Sequence, residues 1–436
     1  MTSAFLSRRL ALLVTLLASL CLVSCSKSSS SGGSANLRAL NLTSDLSSID
    51  VYLGTTKQFS ALSTNALAAY TTTDANTYTV NVNSAGNSAA LFTGSYSLAK
   101  DAHYTAVVWG PQASLRVSTL PEDEDTAAIA SGNTRVRMFN ATTETGAVDV
   151  YLTTATADLS ASTPTQGSLT SGTLAGFREI PAGTYRLRVT GVGNPSDVRL
   201  DMPSVTLNAS KFATLMITAG SGGVLVNGMV IEQQGNATAL VNTKARARIV
   251  ASVDAGGVVA ASVGTTTLAG GLLSPAVGQY TLIDAGNISV NIRVNGNAIL
   301  SGPLAFAPGA DYTLLAYGSA ALGKVAVIAD DNRLPVSTTR TKIRLLNGVA
   351  SLDPLTMLVD YGAVSASSNV IAGTASAYTQ IASNTGAQIE VDSPTLGPVY
   401  LTTRTNGDAL VGQGVYTVFI LSGKATPTGT LRNERP

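Results

Sequence analysis

Histidine, tryptophan and cysteine are nearly missing from this chain of 436 residues, which has one of the first, one of the second and two of the third. With His103 as the sole histidine, any metal site or acid–base relay that needs two imidazoles is excluded. No Gly-x-Ser-x-Gly turn is available to hold a strained nucleophilic serine. Charge is scarce, at 12% of residues, and nearly balanced at 27 basic against 26 acidic side chains, which argues against nucleic acid as a partner. Past the N-terminus no long segment carries apolar residues at helical spacing between caps. The glycine-rich stretches Gly220-Ser221-Gly222-Gly223 and Gly256-Gly257 do not follow a strand and open a helix, so a phosphate loop has no support.

What is present begins with a targeting signal. Arg8 and Arg9 precede an apolar run from Leu10 to Leu20, too short for a stable membrane span and right for the middle of a secretory signal. It closes on Leu22-Val23-Ser24-Cys25, which resembles the bacterial lipoprotein processing box. The resemblance implies that residues 1–24 are a signal peptide and that Cys25 becomes the acylated first residue of the mature chain. Membrane lipid is then a partner, and the cell envelope the location. Ser26 in place of Asp is compatible with sorting to the outer membrane. Several acyl chains, at about 0.8 kcal/mol per buried CH₂, make such attachment effectively permanent. Cys21 leaves with the signal, so the mature chain has neither thiol nor disulfide and must hold together by core burial. Residues 25–34, mostly Ser and Gly, predict a flexible tether of roughly 15–18 Å.

From Ala35 onward the sequence is short runs of Val, Thr, Ile and Tyr between turn residues, the pattern of strands. One motif occurs four times. Arg38, Asn41 and Asp50-Val51-Tyr52-Leu53 are followed by Arg137, Asn140 and Asp149-Val150-Tyr151-Leu152. The later copies are Arg248, Ala251 and Ala260-Ala261-Ser262-Val263, then Arg344, Asn347 and Thr356-Met357-Leu358-Val359. A period of roughly a hundred residues suits a whole small sandwich rather than a solenoid repeat. The expected architecture is all-β, with four tandem immunoglobulin-like antiparallel sandwiches over 35–131, 132–242, 243–338 and 339–436, strung as a rod or bent string. In each, a half-exposed middle strand such as Tyr78-Thr79-Val80-Asn81-Val82 precedes a more apolar later strand such as Tyr104-Thr105-Ala106-Val107-Val108-Trp109, which should be central.

Each candidate for chemistry has a plainer explanation. In Arg135-Val136-Arg137-Met138 and Lys342-Ile343-Arg344-Leu345 basic and apolar residues alternate, giving a solubilising outer face or, more sharply, a cationic stripe for an anionic polymer. His103 aligns with Lys211, Asp311 and Val415, as an exposed strand edge would; Trp109 aligns with Ile217, Tyr317 and Leu421, as a packing position would rather than a sugar platform. Glu122-Asp123-Glu124-Asp125 could offer oxygens to Ca²⁺ but lacks an EF-hand loop and reads as a solvated linker, so no metal and no cofactor is expected. A glycan hydrolase could use Asp50 or Asp149 with a neighbouring carboxylate. Copies three and four lack that Asp, and no long inserted loop is evident to build a deep pocket.

Arg135-Val136-Arg137-Met138-Phe139-Asn140-Ala141, followed by Ala147-Val148-Asp149-Val150-Tyr151-Leu152, resembles the opening of the domain-of-unknown-function family 4397. Asn140-Ala141-Thr142-Thr143 stands where that family commonly has a His-Ala-Ser-Pro stretch. The resemblance implies an exported bacterial β-sandwich protein and assigns no activity. The expected function is therefore non-enzymatic: a lipid-anchored envelope protein whose modules bind, adhere or scaffold, with an envelope protein or polysaccharide as partner and no assigned ligand-binding residue. A glycan-active enzyme and a substrate-capture partner of an outer-membrane transport system are the alternatives.

Overall fold

The computed structural model of the protein describes residues 32–352, 354–403 and 407–435. Residues 1–24, Cys25 and the tether up to residue 31 lie outside them. The described residues contain no α-helix and only four short 3-10 turns among the strands. The chain forms four successive sheet pairs, here units 1 to 4, each closed on its own apolar cluster. In unit 1 one sheet runs Thr71–Asp74, Ser34–Thr43, His103–Gly110 and Arg116–Pro121. The facing sheet runs Thr56–Ser63, Ser48–Leu53, Thr77–Ser84 and Ala90–Ser97. The other units repeat this order with small additions. Ser34 pairs with Asp74, and the Gly33 carbonyl accepts from Ala75, so the end of the expected tether belongs to the sheet.

Pairing is antiparallel except at one place in each unit. There the opening strand lies parallel to the later strand, with Arg38 beside Thr105, Arg137 beside Thr214, Arg248 beside Thr313 and Arg344 beside Thr417. The later strand is thus flanked on both sides, as its continuous apolar run predicts.

The repeated Asn and Asp each tie a loop. Asn41, Asn140 and Asn347 are fully buried where the opening strand ends. Their amides donate to the carbonyls of Leu62, Leu169 and Val370 across the unit, and their side-chain oxygens accept from Thr43, Thr142 and Val349 two residues on. Ala251 can do neither, and in unit 3 the Ser274 hydroxyl accepts from the Val253 amide instead. Asp50 and Asp149 sit at bulges where the register of their hairpins shifts. Each receives the amide of a residue held at positive φ, Ala61 (φ 48) and Ser168 (φ 48), and a second amide from Gly86 and Gly193. Thr356 does a weaker version of this for Asn369 (φ 57).

Burial acts to raise the pKa of Asp50, but the hydrogen bonds from Lys57 and the backbone amides outweigh it and hold the carboxyl below its ordinary value of 3.8. A folded value below the unfolded one means that this contribution is present above the unfolded pKa and is lost as pH falls through the folded one. Asp50→Asn should accordingly flatten the acid limb of a stability–pH curve below about pH 4. An acid limb identical to that of the unaltered protein would refute the assignment.

The units do not form a string. Alternation along the opening strand sends Leu37 and Ala39 into the sandwich of unit 1 and Leu40 and Leu42 to the opposite face. That face is covered by unit 2, where Leu40, Leu42, Trp109, Phe139, Met216 and Met229 share one buried cluster. Units 3 and 4 meet in the same way through Val250, Leu315, Leu346, Phe419 and Leu421. The two pairs are joined at a knuckle. Gly222 donates to the Gly309 carbonyl and accepts from Asn332, while Arg435 reaches the carbonyls of Gly223, Thr145 and Asn332. The glycines here are needed for close approach, because a Cβ on Gly223 (φ +84) would lie 2.3 Å from the Arg333 nitrogen.

Candidate functional site

The repeated arginines face neither solvent nor a polymer. Arg38, Arg137, Arg248 and Arg344 are 2–7% exposed, because the neighbouring docked unit covers the face on which the alternation places them. This corrects both readings of the alternating strand, since one strand's pattern says which residues share a face but not what covers it. Each guanidinium has the same two neighbours. Nε donates to the threonine beside it on the later strand, Thr105, Thr214, Thr313 or Thr417, at 2.8–3.1 Å. An aromatic ring lies 4.3–4.6 Å from the guanidinium carbon: Tyr70, Phe177, Tyr280 or Tyr378. Planar, weakly hydrated guanidinium suits such a stacked, desolvated place better than ammonium would.

Carboxylates complete three of the four sites. Arg38 pairs with Glu122 of its own unit at 2.7 Å and donates to the carbonyls of Glu232 and Gly235 in unit 2. In the second pair the exchange is reciprocal, with Arg248 of unit 3 holding Glu434 of unit 4 and Arg344 of unit 4 holding Asp330 of unit 3. Glu122, Asp330 and Glu434 occupy one register position, opposite His103, Asp311 and Val415. In unit 2 that position is Gln233, opposite Phe212. Arg137 accordingly has no ion pair among the described residues, and burial, only partly opposed by Glu124 and Glu122, draws its pKa down.

The register also revises two alignments. Counting from the threonine that meets each arginine, His103 corresponds to Phe212 rather than Lys211, and Trp109 to Thr218 rather than Ile217. His103 opens a strand central to its sheet and is not an edge residue. Its Nδ1 lies 2.7 Å from Asp123, and its Nε2 lies 3.1 Å from the Asn36 amide. Trp109 packs edge-on against Phe139 of unit 2 at 5.7 Å and is 3% exposed. The acidic run is not a solvated linker throughout. Glu122 is buried on Arg38, Asp123 meets His103, the Glu124 backbone donates to and accepts from the Gln233 side-chain amide, and Asp125 caps a 3-10 turn. No metal-binding cluster of three or more His, Cys, Asp or Glu occurs among the described residues.

One long loop was missed in the sequence. Unit 2 replaces the tight hairpin of unit 1 with residues 154–165, folded so that Arg186 and Arg188 donate to the carbonyls of Ala155 and Ala157. Its Asp-Leu-Ser and Thr-Pro-Thr content marks a loop, but only comparison with Leu53-Gly54-Thr55-Thr56 marks it as an insertion.

A cleft of about 220 Å³ lies where unit 1, unit 2, unit 4 and the connector between units 3 and 4 converge. Asp45, Glu144, Asp331, Arg333 and Lys342 line it. Asp331 takes both cations, Arg333 at 2.8 Å and Lys342 at 3.2 Å. Burial pushes Lys342 down to about 8 against the pull of Asp331.

No curated protein matches the chain. Among solved structures, the crystal structure of a "putative cell adhesion protein" from Bacteroides uniformis is similar over 46% of this chain and 99% of its own, at 11% identity and a TM-score of 0.17. Residues 35–151, which span unit 1 and the opening of unit 2, match the family model described as Domain of unknown function (DUF4397).

Proposed function

We propose that this is a non-enzymatic, lipid-anchored protein of a bacterial outer membrane whose four units are immunoglobulin-like domains, and that it binds an envelope protein or polysaccharide through its outer sheets and loops. One observation carries the reading: the polar residues common to the copies serve assembly. The arginines dock units to one another through their terminal nitrogens, and the asparagines and aspartates tie loops. The 154–165 loop, which unit 1 replaces with a tight hairpin, lies outside the docking faces, and recognition belongs to such elements. Asp50 and Asp149, the carboxylates best placed for glycan hydrolysis, are spent on backbone amides.

The anchor rests on the Leu22-Val23-Ser24-Cys25 box. Cys25→Ser should move the protein from the membrane fraction to the soluble one; retention on membranes would show that Cys25 is not what holds it. A glycan array, with pull-down from envelope extracts under the same conditions, tests the binding role. Turnover of any arrayed glycan, in place of retention, would make the protein an enzyme.

A further inference from the structure

The sandwich of unit 2 is open along one side. Its outer sheet ends on Asn194–Leu207, and the sheet that docks on unit 1 carries Ala237–Leu240 beyond Val226–Glu232, a strand added in no other unit among the described residues. Between these edges runs a groove of about 520 Å³, within the range of ligand sites, roughly 300–1,000 Å³. Comparison with unit 1 explains the opening. Tyr96 pairs with Tyr78 in the outer sheet of unit 1, and its hydroxyl donates to the Val117 carbonyl of the facing sheet at 2.8 Å, closing that side. The same register position in unit 2, opposite Tyr185, is Val205. Loss of the ring and addition of the strand leave the space unfilled.

Val205, Val230 and Leu240 form the floor of the groove and are 5–8% exposed. Ser204, Thr206, Asn208, Asn236 and Thr238 stand exposed along its rim. One end is fixed from unit 1. Arg38 donates to the Gly235 carbonyl, and Glu122 accepts from the amide of Gln234, which is held at positive φ (53). A groove set before its ligand arrives loses less freedom on binding.

The chemistry of the lining selects the ligand. No lysine or arginine lines the groove, which disfavours an anion. Its one carboxylate, Glu232, accepts from the Asn208 amide at 2.5 Å, and a single acid offers too few anionic oxygens for a divalent cation. An added peptide strand is poorly served. Pro203 has no N–H and the pairing of Asn194–Leu207 shifts register beside it, while Ala237–Leu240 is only four residues long. Hydroxyls and carboxamides both donate and accept, as sugar hydroxyls do, and the apolar floor matches the C–H face of a pyranose. We propose that the groove between Asn194–Leu207 and Ala237–Leu240 binds a segment of a neutral polysaccharide, its hydroxyls bonded at the rim and its C–H face laid on Val205, Val230 and Leu240. This site rests on the binding role proposed above and assigns it to unit 2.

Retention of the whole protein on arrayed cello-, malto-, manno- and chito-oligosaccharides, with polygalacturonate as the anionic control, tests this, followed by calorimetric titration of the sugar held best. Neutral sugars should be retained at high salt as at low, because no charge pairing contributes. Val205→Tyr, which restores the ring that closes unit 1, should abolish binding. Asn236→Ala combined with Thr238→Ala alters only exposed side chains and should weaken binding about tenfold, the worth of one to two hydrogen bonds. Neutral-sugar binding unaltered in that double variant, or in folded Val205→Tyr, would overturn the groove assignment and leave the binding role standing. Preference for polygalacturonate, or a steep loss of binding with salt, would overturn the neutral ligand. Retention of no glycan at all would overturn the groove and the polysaccharide reading together, and the pull-down from envelope extracts would then decide the protein-binding reading.

Discussion

Replacing Arg344 with methionine should destabilise the protein by about 3–5 kcal/mol, the cost of leaving one member of a buried ion pair without the other. Asp330 Oδ2 would keep the hydroxyls of Tyr280 at 2.8 Å and Thr313 at 2.7 Å, but Oδ1, which accepts from Arg344, would lose that donor in the interior. Arg135→Met is the matched control. Arg135 and its partner Glu179 are roughly a third exposed, so the pair is worth about 0–1 kcal/mol. Denaturant melts of the two variants give the comparison directly. Adding Asp330→Leu to Arg344→Met should recover part of the loss, because a buried pair exchanged for apolar groups can be neutral where a broken one is not. Equal, small losses for Arg344→Met and Arg135→Met would mean that Arg344 is not held between units 3 and 4.

Phe139→Ala should cost about 3–5 kcal/mol, as deleting a fully buried ring does. It also comes with its own reporter. Trp109 is the sole tryptophan, and its ring meets Phe139 across the contact between units 1 and 2. Loosening that contact should admit water to the indole and shift its native emission to the red, before any unfolding. A stability loss with unchanged emission would assign Phe139 to the sandwich of unit 2 and not to the docking face.

The strand pattern was legible because it depends on neighbours close in sequence. The apolar run Tyr312-Thr313-Leu314-Leu315-Ala316-Tyr317 is central, and the half-wet Tyr78-Thr79-Val80-Asn81-Val82 has one partly exposed face. The docking of units was not legible from a single strand, since Arg38 followed by Leu40 and Leu42 reads as mixed polarity. Only the combination with Thr105 and Tyr70 makes a buried cation physically tolerable. That combination was in the sequence: a threonine near the start of each later strand and an aromatic residue between it and the arginine in all four copies. The one-residue slip at Phe212 came from aligning aromatic residues by type, whereas the sheet aligns Thr214 with Thr105. Glu144 gave no signal, because its neighbours Ser44 and Arg333 come from distant parts of the chain.

The parallel pairing of opening and later strands bears on the order in which the molecule can be made. Ser34–Thr43 can pair early with Thr71–Asp74 but cannot find its parallel neighbour until His103–Gly110 has been synthesised, so the sheet of unit 1 closes late and has a high contact order. Docking is later still, because Arg248 waits on Glu434, a residue 186 positions downstream. Until then Arg248 lacks its ion-pair partner beside exposed Val250 and Leu315, a surface that resists burial in a wrong partner lacking a carboxylate. The arginine that fastens unit 3 to unit 4 would thus also guard unit 3 against premature association while its proper mate is unmade.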